Sequence, residues 1–356
     1  MSEFSVGSLL VIVLAVVAEA QNPVLPRPTL WPQDRTAAIS LTFDDALASQ
    51  LDNVGPILRK HHLVGTFYVI TGPTSTWLKR LRGWRRLAAE GNEIGSHSVH
   101  HPCMIPGFKP NSQDYSPEMM KAEVQQSARA IMAALGTHRG LTFAYPCGDE
   151  TFGPPWDEAR NQARYLSDVA EFYFAARIDK GGSPVNPAEL SPLTVHILNR
   201  TVGLDPPHLL AMTEPVLRTH YWGVFVFHGV GGDYLSVSAE AVDKLASYLQ
   251  QHSEVWCATF GDVVRYIQER KALEIRATGL DGRRVQYKLS WPMDPSVYDL
   301  PLTLKWELPR GWTSCQVEGD RHALVSRVLT ESDRRVLLVD VAAQTQLLQF
   351  EAGSSK

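Results

Sequence analysis

The chain has no surplus of either charge sign: 34 Lys+Arg stand against 38 Asp+Glu, a formal net charge of −4 over 356 residues. It contains no block of basic residues either, which excludes electrostatic capture of nucleic acid. Cysteine is scarce. Four in a chain this long permit at most two bridges, so the fold is not a disulfide scaffold. No repeat of fixed period and no low-complexity tract is present. Residues 9–18 (LLVIVLAVVA) form an unbroken apolar run of ten, well short of the about 18–20 that a membrane-spanning helix needs. No stable membrane span is expected.

That run has the length of the apolar centre of a secretory signal, and Ala18-Glu19-Ala20 before Gln21 has the form of a cleavage site. Residues 1–20 therefore read as a signal peptide and the protein as secreted or periplasmic. The first eight residues are atypical for a signal, with Glu3 and no cation. The plainer use of the run is a buried or interfacial helix. Residues 22–34 (NPVLPRPTLWPQD) carry four prolines in thirteen, which forbids helix or central strand. Residues 21–34 are read as a Pro-rich leader into the first domain.

What is present is ample core material: 44% apolar against 20% charged residues. Disorder and coiled coil are excluded, and the length suits one large domain with a smaller one. From residue 36 strand-like and helical patterns alternate. Strands are expected at 37–43, 65–70, 93–96, 141–146, 172–177, 195–198, 223–227 and 255–260. Helices are expected at 47–62, 77–90, 117–135, 207–219, 239–252 and 262–272. Such alternation means parallel βαβ units, and about seven of them fit an α/β fold closed, or nearly closed, as a β/α barrel over residues 35–272. Residues 273–356 change to short alternating stretches without helical period, an all-β accessory domain of sandwich type.

The unusual polar residues fall just past the ends of expected strands. Asp44-Asp45 follow AAISLTF, His97, His100 and His101 follow EIGS, Tyr145-Pro146-Cys147-Gly148 end LTFA, and His228-Gly229 end GVFVF. That is the face on which β/α barrels build active sites. His97 and His101 are four apart, so on a helical turn both imidazoles face one way and can share a metal with a carboxylate. Zinc is the first expectation, and cobalt, manganese, nickel or iron suit the same donors. Two buried neighbouring aspartates repel unless their roles are separated, as when one binds a metal and the other acts as a base. Their plainer use is to cap a following helix. His228 at a strand end is either a satisfied core histidine or, on the same face as the metal set, an acid.

Thr42-Phe43-Asp44-Asp45, His97-Ser98-Val99-His100-His101-Pro102, Phe143-Ala144-Tyr145-Pro146-Cys147-Gly148 and Phe227-His228 resemble, in order, the motifs of polysaccharide deacetylases, the NodB-homology domains of carbohydrate esterase family 4. The resemblance implies a distorted (β/α)7 barrel that removes N- or O-acetyl groups from an acetylated polysaccharide or oligosaccharide with a divalent metal. It makes Asp44 the general base, Asp45, His97 and His101 the metal ligands, and His228 the general acid. The Cys147 backbone N–H joins the oxyanion hole, with Tyr145 beside it. Metal-bound water would attack the acetyl carbonyl as Asp44 takes its proton.

Two departures stand out. Where the family carries an Arg that pairs with the base, this chain has Ala144, and Arg177 at the end of FYFAAR is the expected replacement from a neighbouring strand. The family's Asp and Trp that orient the acid His have no clear counterpart; Asp179 and Asp233 are both candidates. Cys103 and Cys147 lie in motif loops and form a disulfide if both loops line one pocket; the rival is a small packed Cys147 and a buried Cys103 thiol. The competing function is a catalytically silent carbohydrate-binding protein on the same scaffold, against which the retained Asp44 and His228 speak. An iron oxygenase could use the same donor types, but the βα alternation disfavours it. Tyr287, Trp291, Tyr298, Trp306 and Trp312 of the C-terminal unit are either its core or a sugar-stacking face.

Overall fold

The structure, a computed structural model, describes residues 24–136 and 140–353, apart from the Leu280 side chain. The expected signal segment, residues 1–20, lies outside the described residues. Along the chain run β1 (Arg27–Pro28), β2 (Ala37–Asp44), α1 (Gly55–Lys60), β3 (Thr66–Val69), α2 (Thr76–Lys79), α3 (Leu81–Ala89) and β4 (Glu93–Ser96). Next come α4 (Pro117–Leu135), β5 (Leu141–Ala144), α5 (Glu158–Ala170), β6 (Tyr173–Gly181), β7 (Val195–Ile197) and β8 (Asn199–Arg200). The barrel ends with α6 (Pro206–Ala211), α7 (Glu214–Thr219), β9 (Trp222–Phe227), α8 (Ala239–Gln251), β10 (Val255–Cys257) and α9 (Phe260–Ala272).

The sheet order is β7-β6-β5-β4-β3-β2-β9-β8, all parallel, with β10 added beside the first half of β2. Residues 195–200 act as one bent strand, pairing β6 through β7 and β9 through β8. They close the ring to the distorted (β/α)7 barrel expected. Strand β2 is buried at all eight positions, as a parallel strand covered on both faces must be. Its alternation separates two environments. Phe43 stacks on Phe67 and Phe227 at 4.9 and 5.1 Å among helix residues such as Trp84 and Val242. Asp44 belongs to the opposite set, with Tyr68, Ala144 and Arg177 on adjoining strands.

Helix α9 closes the other end of the barrel. The Phe260 amide donates to Thr66 Oγ1, the Gly261 amide to Glu93 Oε2, and Arg265 Nη2 to the Gly140 carbonyl. These are the starts of β3, β4 and β5, so the opposite rim is left for chemistry. Helix α4 shows how local sequence sets an element. Ser116 caps its first turn by accepting from the Met119 amide, Pro117 opens it, and Gly136 at φ 65° ends it. The helix expected over 77–90 is two pieces, broken at Arg80, whose φ/ψ of −123°/29° leaves the helical region.

The C-terminal unit contains β11 (Glu274–Asp281), β12 (Arg284–Ser290), β13 (Leu302–Glu307), β14 (Cys315–Gly319), β15 (His322–Leu324), β16 (Ser326–Glu331), β17 (Arg334–Val341) and β18 (Leu347–Ala352). They form two antiparallel sheets, β11-β12-β18-β14-β15 and β1-β13-β17-β16. Tyr287, Trp306, Leu337 and Phe350 fill the space between them. Tyr287 and Trp306 are core, and Tyr298 packs on Phe174 of the barrel at 6.1 Å.

Residues 24–34 do more than lead into the barrel. Arg27 and Pro28 pair with Lys305 and Leu304 as the edge strand of the second sheet. The edge is where a proline, lacking an N–H, can sit. The Val24 carbonyl accepts from Tyr287 and Trp306, while Trp31 is buried against the barrel with its indole N–H on the His220 carbonyl. The segment is a strap across both units.

Candidate active site

At the open rim the chain turns sharply after β2: Asp45 and Ala46 have φ of 77° and 54°, a region uncommon for residues other than glycine. The turn sends the neighbouring carboxylates in different directions. Neither caps a helix; the residue flanking the first turn, Gln50–Val54, is Ser49. The buried Gln50 side chain instead donates to the backbone carbonyls of Asp44 and His228, at 2.5 and 3.2 Å, tying the ends of β2 and β9 together.

His97 and His101 converge, but not on a helical turn. Residues 97–101 form a loop in which Ser98 and His101 adopt φ of 64° and 57°. Glu123, buried on α4, holds that loop: its Oε2 accepts from the Val99 and His100 amides at 2.9 and 2.8 Å, and its Oε1 lies 2.7 Å from His100 Nδ1. His97 Nδ1 lies 2.7 Å from the Ala144 carbonyl, to which only an N–H can donate. Its Nε2 lone pair therefore faces inward, 3.1 Å from His101 Nε2. Burial, with His97 beside it, pulls the His101 imidazole down to about 4. Both rings are poised to give lone pairs to one electrophile.

The third donor is Asp45 Oδ1, 3.6 Å from His97 Nε2 and 3.4 Å from His101 Nε2. It is buried and accepts no hydrogen bond from the described residues. Three donor atoms within 4.8 Å of one another, one of them an orphaned carboxylate oxygen, fit a divalent cation. His101, Cys103 and Cys147 also cluster, but Cys103 and Cys147 are joined as a disulfide and offer no thiolate.

Arg177 is the Cα partner of Ala144 in the parallel ladder. Its Nη2 lies 2.5 and 2.6 Å from the two Asp44 oxygens, and its guanidinium stacks 5.0 Å from the Tyr68 ring centre. Tyr68 in turn needs Gly95 on β4, where a Cβ would come within 2.6 Å of the ring. Burial alone would raise the Asp44 carboxyl. Arg177, with His97 and His228 nearby, outweighs it and holds the group below the ordinary carboxylate value. Asp44 is thus ionised at neutral pH.

His228 Nε2 points at Asp45 Oδ2 from 3.8 Å, and its Nδ1 has no hydrogen-bond partner among the described residues. Neither candidate orienting aspartate is bonded to it: Asp233 accepts from the Ser49 amide and Asp179 pairs with Arg200. Tyr145 is not on the substrate side. Its ring is buried against Phe143 and Tyr165, and its amide donates to the Arg177 carbonyl. Cys147 makes the turn after β5 at φ 56°. Sequence reasoning missed Gln50, Glu123 and Tyr234, whose hydroxyl donates to Asp45 Oδ2 at 2.8 Å. The glycine-rich stretch before Tyr234 was the available signal of a built loop.

The rim of the (β/α)7 barrel thus sets two histidines and one carboxylate beside an Arg-paired aspartate. Residues 32–165 match the family described as Polysaccharide deacetylase. The matched span holds Asp44, Asp45, His97, His101 and Cys147; Arg177 and His228 lie beyond it. Among characterised proteins, a gellan lyase of a Bacillus species is 26% identical over 311 residues, covering 80% of this chain and 11% of that protein. The chain therefore spans a small fraction of that relative's length. Similar solved structures include a family 4 carbohydrate esterase from Streptomyces lividans in complex with acetate, 18% identical, with TM-score 0.41, covering 63% of this chain and 92% of that one. A CE4-family pseudoenzyme from Bacillus anthracis is 19% identical, with TM-score 0.43 and coverage of 64% and 65%.

Proposed function

We propose that this chain is a metal-dependent deacetylase of an acetylated polysaccharide or oligosaccharide. The convergence of Asp45 Oδ1, His97 Nε2 and His101 Nε2 next to an ionised, Arg-held Asp44 carries the reading. A divalent cation, zinc first, would be held by Asp45, His97 and His101 and would supply Lewis acidity toward water and the acetyl carbonyl. Asp44 takes the proton of the attacking water; Arg177 keeps it charged and fixed in direction. The Cys147 amide, on a turn anchored by its disulfide to the His101 loop, donates to the developing oxyanion, a contribution of ~3 kcal/mol per donor. His228 returns a proton to the departing amine or alkoxide. A silent binding protein has no use for a buried Asp44–Arg177 pair together with a His228 whose Nδ1 has no hydrogen-bond partner among the described residues.

Export is part of the reading. The disulfide supports it, because such bonds persist in oxidising compartments. Among the described residues, no helix is long and apolar enough to cross a membrane. Acetate release from acetylated chitin oligosaccharides and acetylxylan, with and without chelator, tests the function. Expected are chelator-sensitive release and losses of about 10²–10⁴-fold in Asp44→Asn and His228→Ala. No acetate from any glycan with metal bound overturns it.

A further inference from the structure

We propose that Tyr234 is a positioning residue for the carboxylate of Asp45, holding it as a one-oxygen ligand; the inference rests on the metal-site reading above. The two oxygens of Asp45 stand in different surroundings. Oδ1 faces the two imidazole Nε2 atoms and accepts no hydrogen bond from the described residues. Oδ2 takes the Tyr234 hydroxyl at 2.8 Å and lies 3.8 Å from His228 Nε2. A donor fixed on one oxygen stops the carboxylate from rotating and from presenting both oxygens to a cation.

The loop that carries Tyr234 is built for this placement. Gly231, Asp233 and Leu235 turn the chain at φ of 67°, 61° and 46°. The Gly229 amide donates to the Tyr234 carbonyl, the Val237 amide to Gly229, and the Gly231 amide to Val237, at 3.1, 3.0 and 2.7 Å. A Cβ at Gly229 would fall 2.2 Å from the Gly232 oxygen and 2.7 Å from the Tyr234 oxygen, so glycine is what lets the loop fold back this tightly. Two residues after β2 pin it: Ser49 donates its amide to Asp233 Oδ2 and accepts the Val230 amide on its hydroxyl, and Asn53 donates to the Val230 carbonyl. Tyr234 is 54% exposed, yet its hydroxyl points inward. Its ring forms part of the rim while its oxygen reaches the ligand, and the same loop begins at His228.

Tyr234→Phe removes only the hydroxyl and keeps the ring. Zn²⁺ titration by calorimetry on metal-free protein is expected to show binding weakened by about 10- to 100-fold. The unfolding temperature without metal should stay unchanged, with a smaller upward shift on adding Zn²⁺. With Co²⁺ as the probe, the visible absorption of the variant should weaken as the freed carboxylate binds through both oxygens. Equal or tighter Zn²⁺ binding, with an unaltered Co²⁺ spectrum, overturns the role of Tyr234 and leaves the deacetylase reading intact. Failure of the wild type to bind either ion overturns both.

Discussion

Replacing Arg177 by Met keeps the length of the stem and removes the charge. In the wild type Asp44 is buried, and the guanidinium, 1% exposed, gives it two contacts of 2.5 and 2.6 Å. Removing one partner of a buried ion pair costs about 3–5 kcal/mol, because the other charge is left in a poor solvent. The chain can relieve that cost by protonating Asp44, and at ~1.36 kcal/mol per pH unit this is a rise of about 2–4 units. The direction of pH dependence then reverses. In the wild type the Asp44 carboxyl is held below its ordinary value, so the pair stabilises the fold above the ordinary carboxylate pKa and that stabilisation fades as pH falls through the lowered one. In Arg177→Met only burial and the weaker histidine contacts remain, the pKa rises, and stability is lost as pH climbs through it. Two assays read this: the acid limb of kcat/KM for acetate release, and thermal unfolding across pH 4–8. An acid limb that stays in place, with an unfolding temperature that keeps its wild-type slope, refutes the argument.

Serine at Cys103 and Cys147 opens a bridge spanning 44 residues and is expected to cost about 4 kcal/mol by loop closure; thiol counting of unreduced, denatured wild type should find two thiols, Cys257 and Cys315, and four would exclude the bridge. Glu123→Gln turns one of two acceptor oxygens into a donor, so the Val99 and His100 amides on one side and the Tyr115 hydroxyl with the His100 ring on the other no longer both meet an acceptor. It should lose about 1–3 kcal/mol in denaturant melts and lower kcat more than it raises KM. Trp31→Ala empties a fully buried site against the barrel, for a loss of about 3–5 kcal/mol measured by urea unfolding.

The barrel is readable in the sequence because each parallel strand is a short apolar run, and helix-period segments separate them. The convergence of Asp44, Asp45, His97 and His101 is readable for the same reason: parallel strands deliver whatever follows them to one rim. Local periodicity, however, gives the wrong account of how the two histidines meet. Four-residue spacing suggested a helical turn, whereas two left-handed residues and Glu123 on a distant helix make the loop. Register explains Arg177. Its alignment with Ala144 is a fact about two strands side by side, and neither strand's own pattern contains it. Gln50 and Tyr234 act through contacts 178 and 189 residues away, which spacing along a chain cannot express. The strap was missed because a two-residue edge strand rich in proline has no pattern at all.

That strap sets the order in which the molecule can be completed. Arg27 leaves the ribosome 278 residues before its partner Lys305, a wait of roughly 15–55 s at ordinary synthesis rates of about 5–20 residues per second. By then every strand of the barrel has been made, while β1 has had no sheet to join. The first strand of the described chain is thus among the last to be placed, and the sandwich finishes the molecule by drawing its early segment back across the barrel.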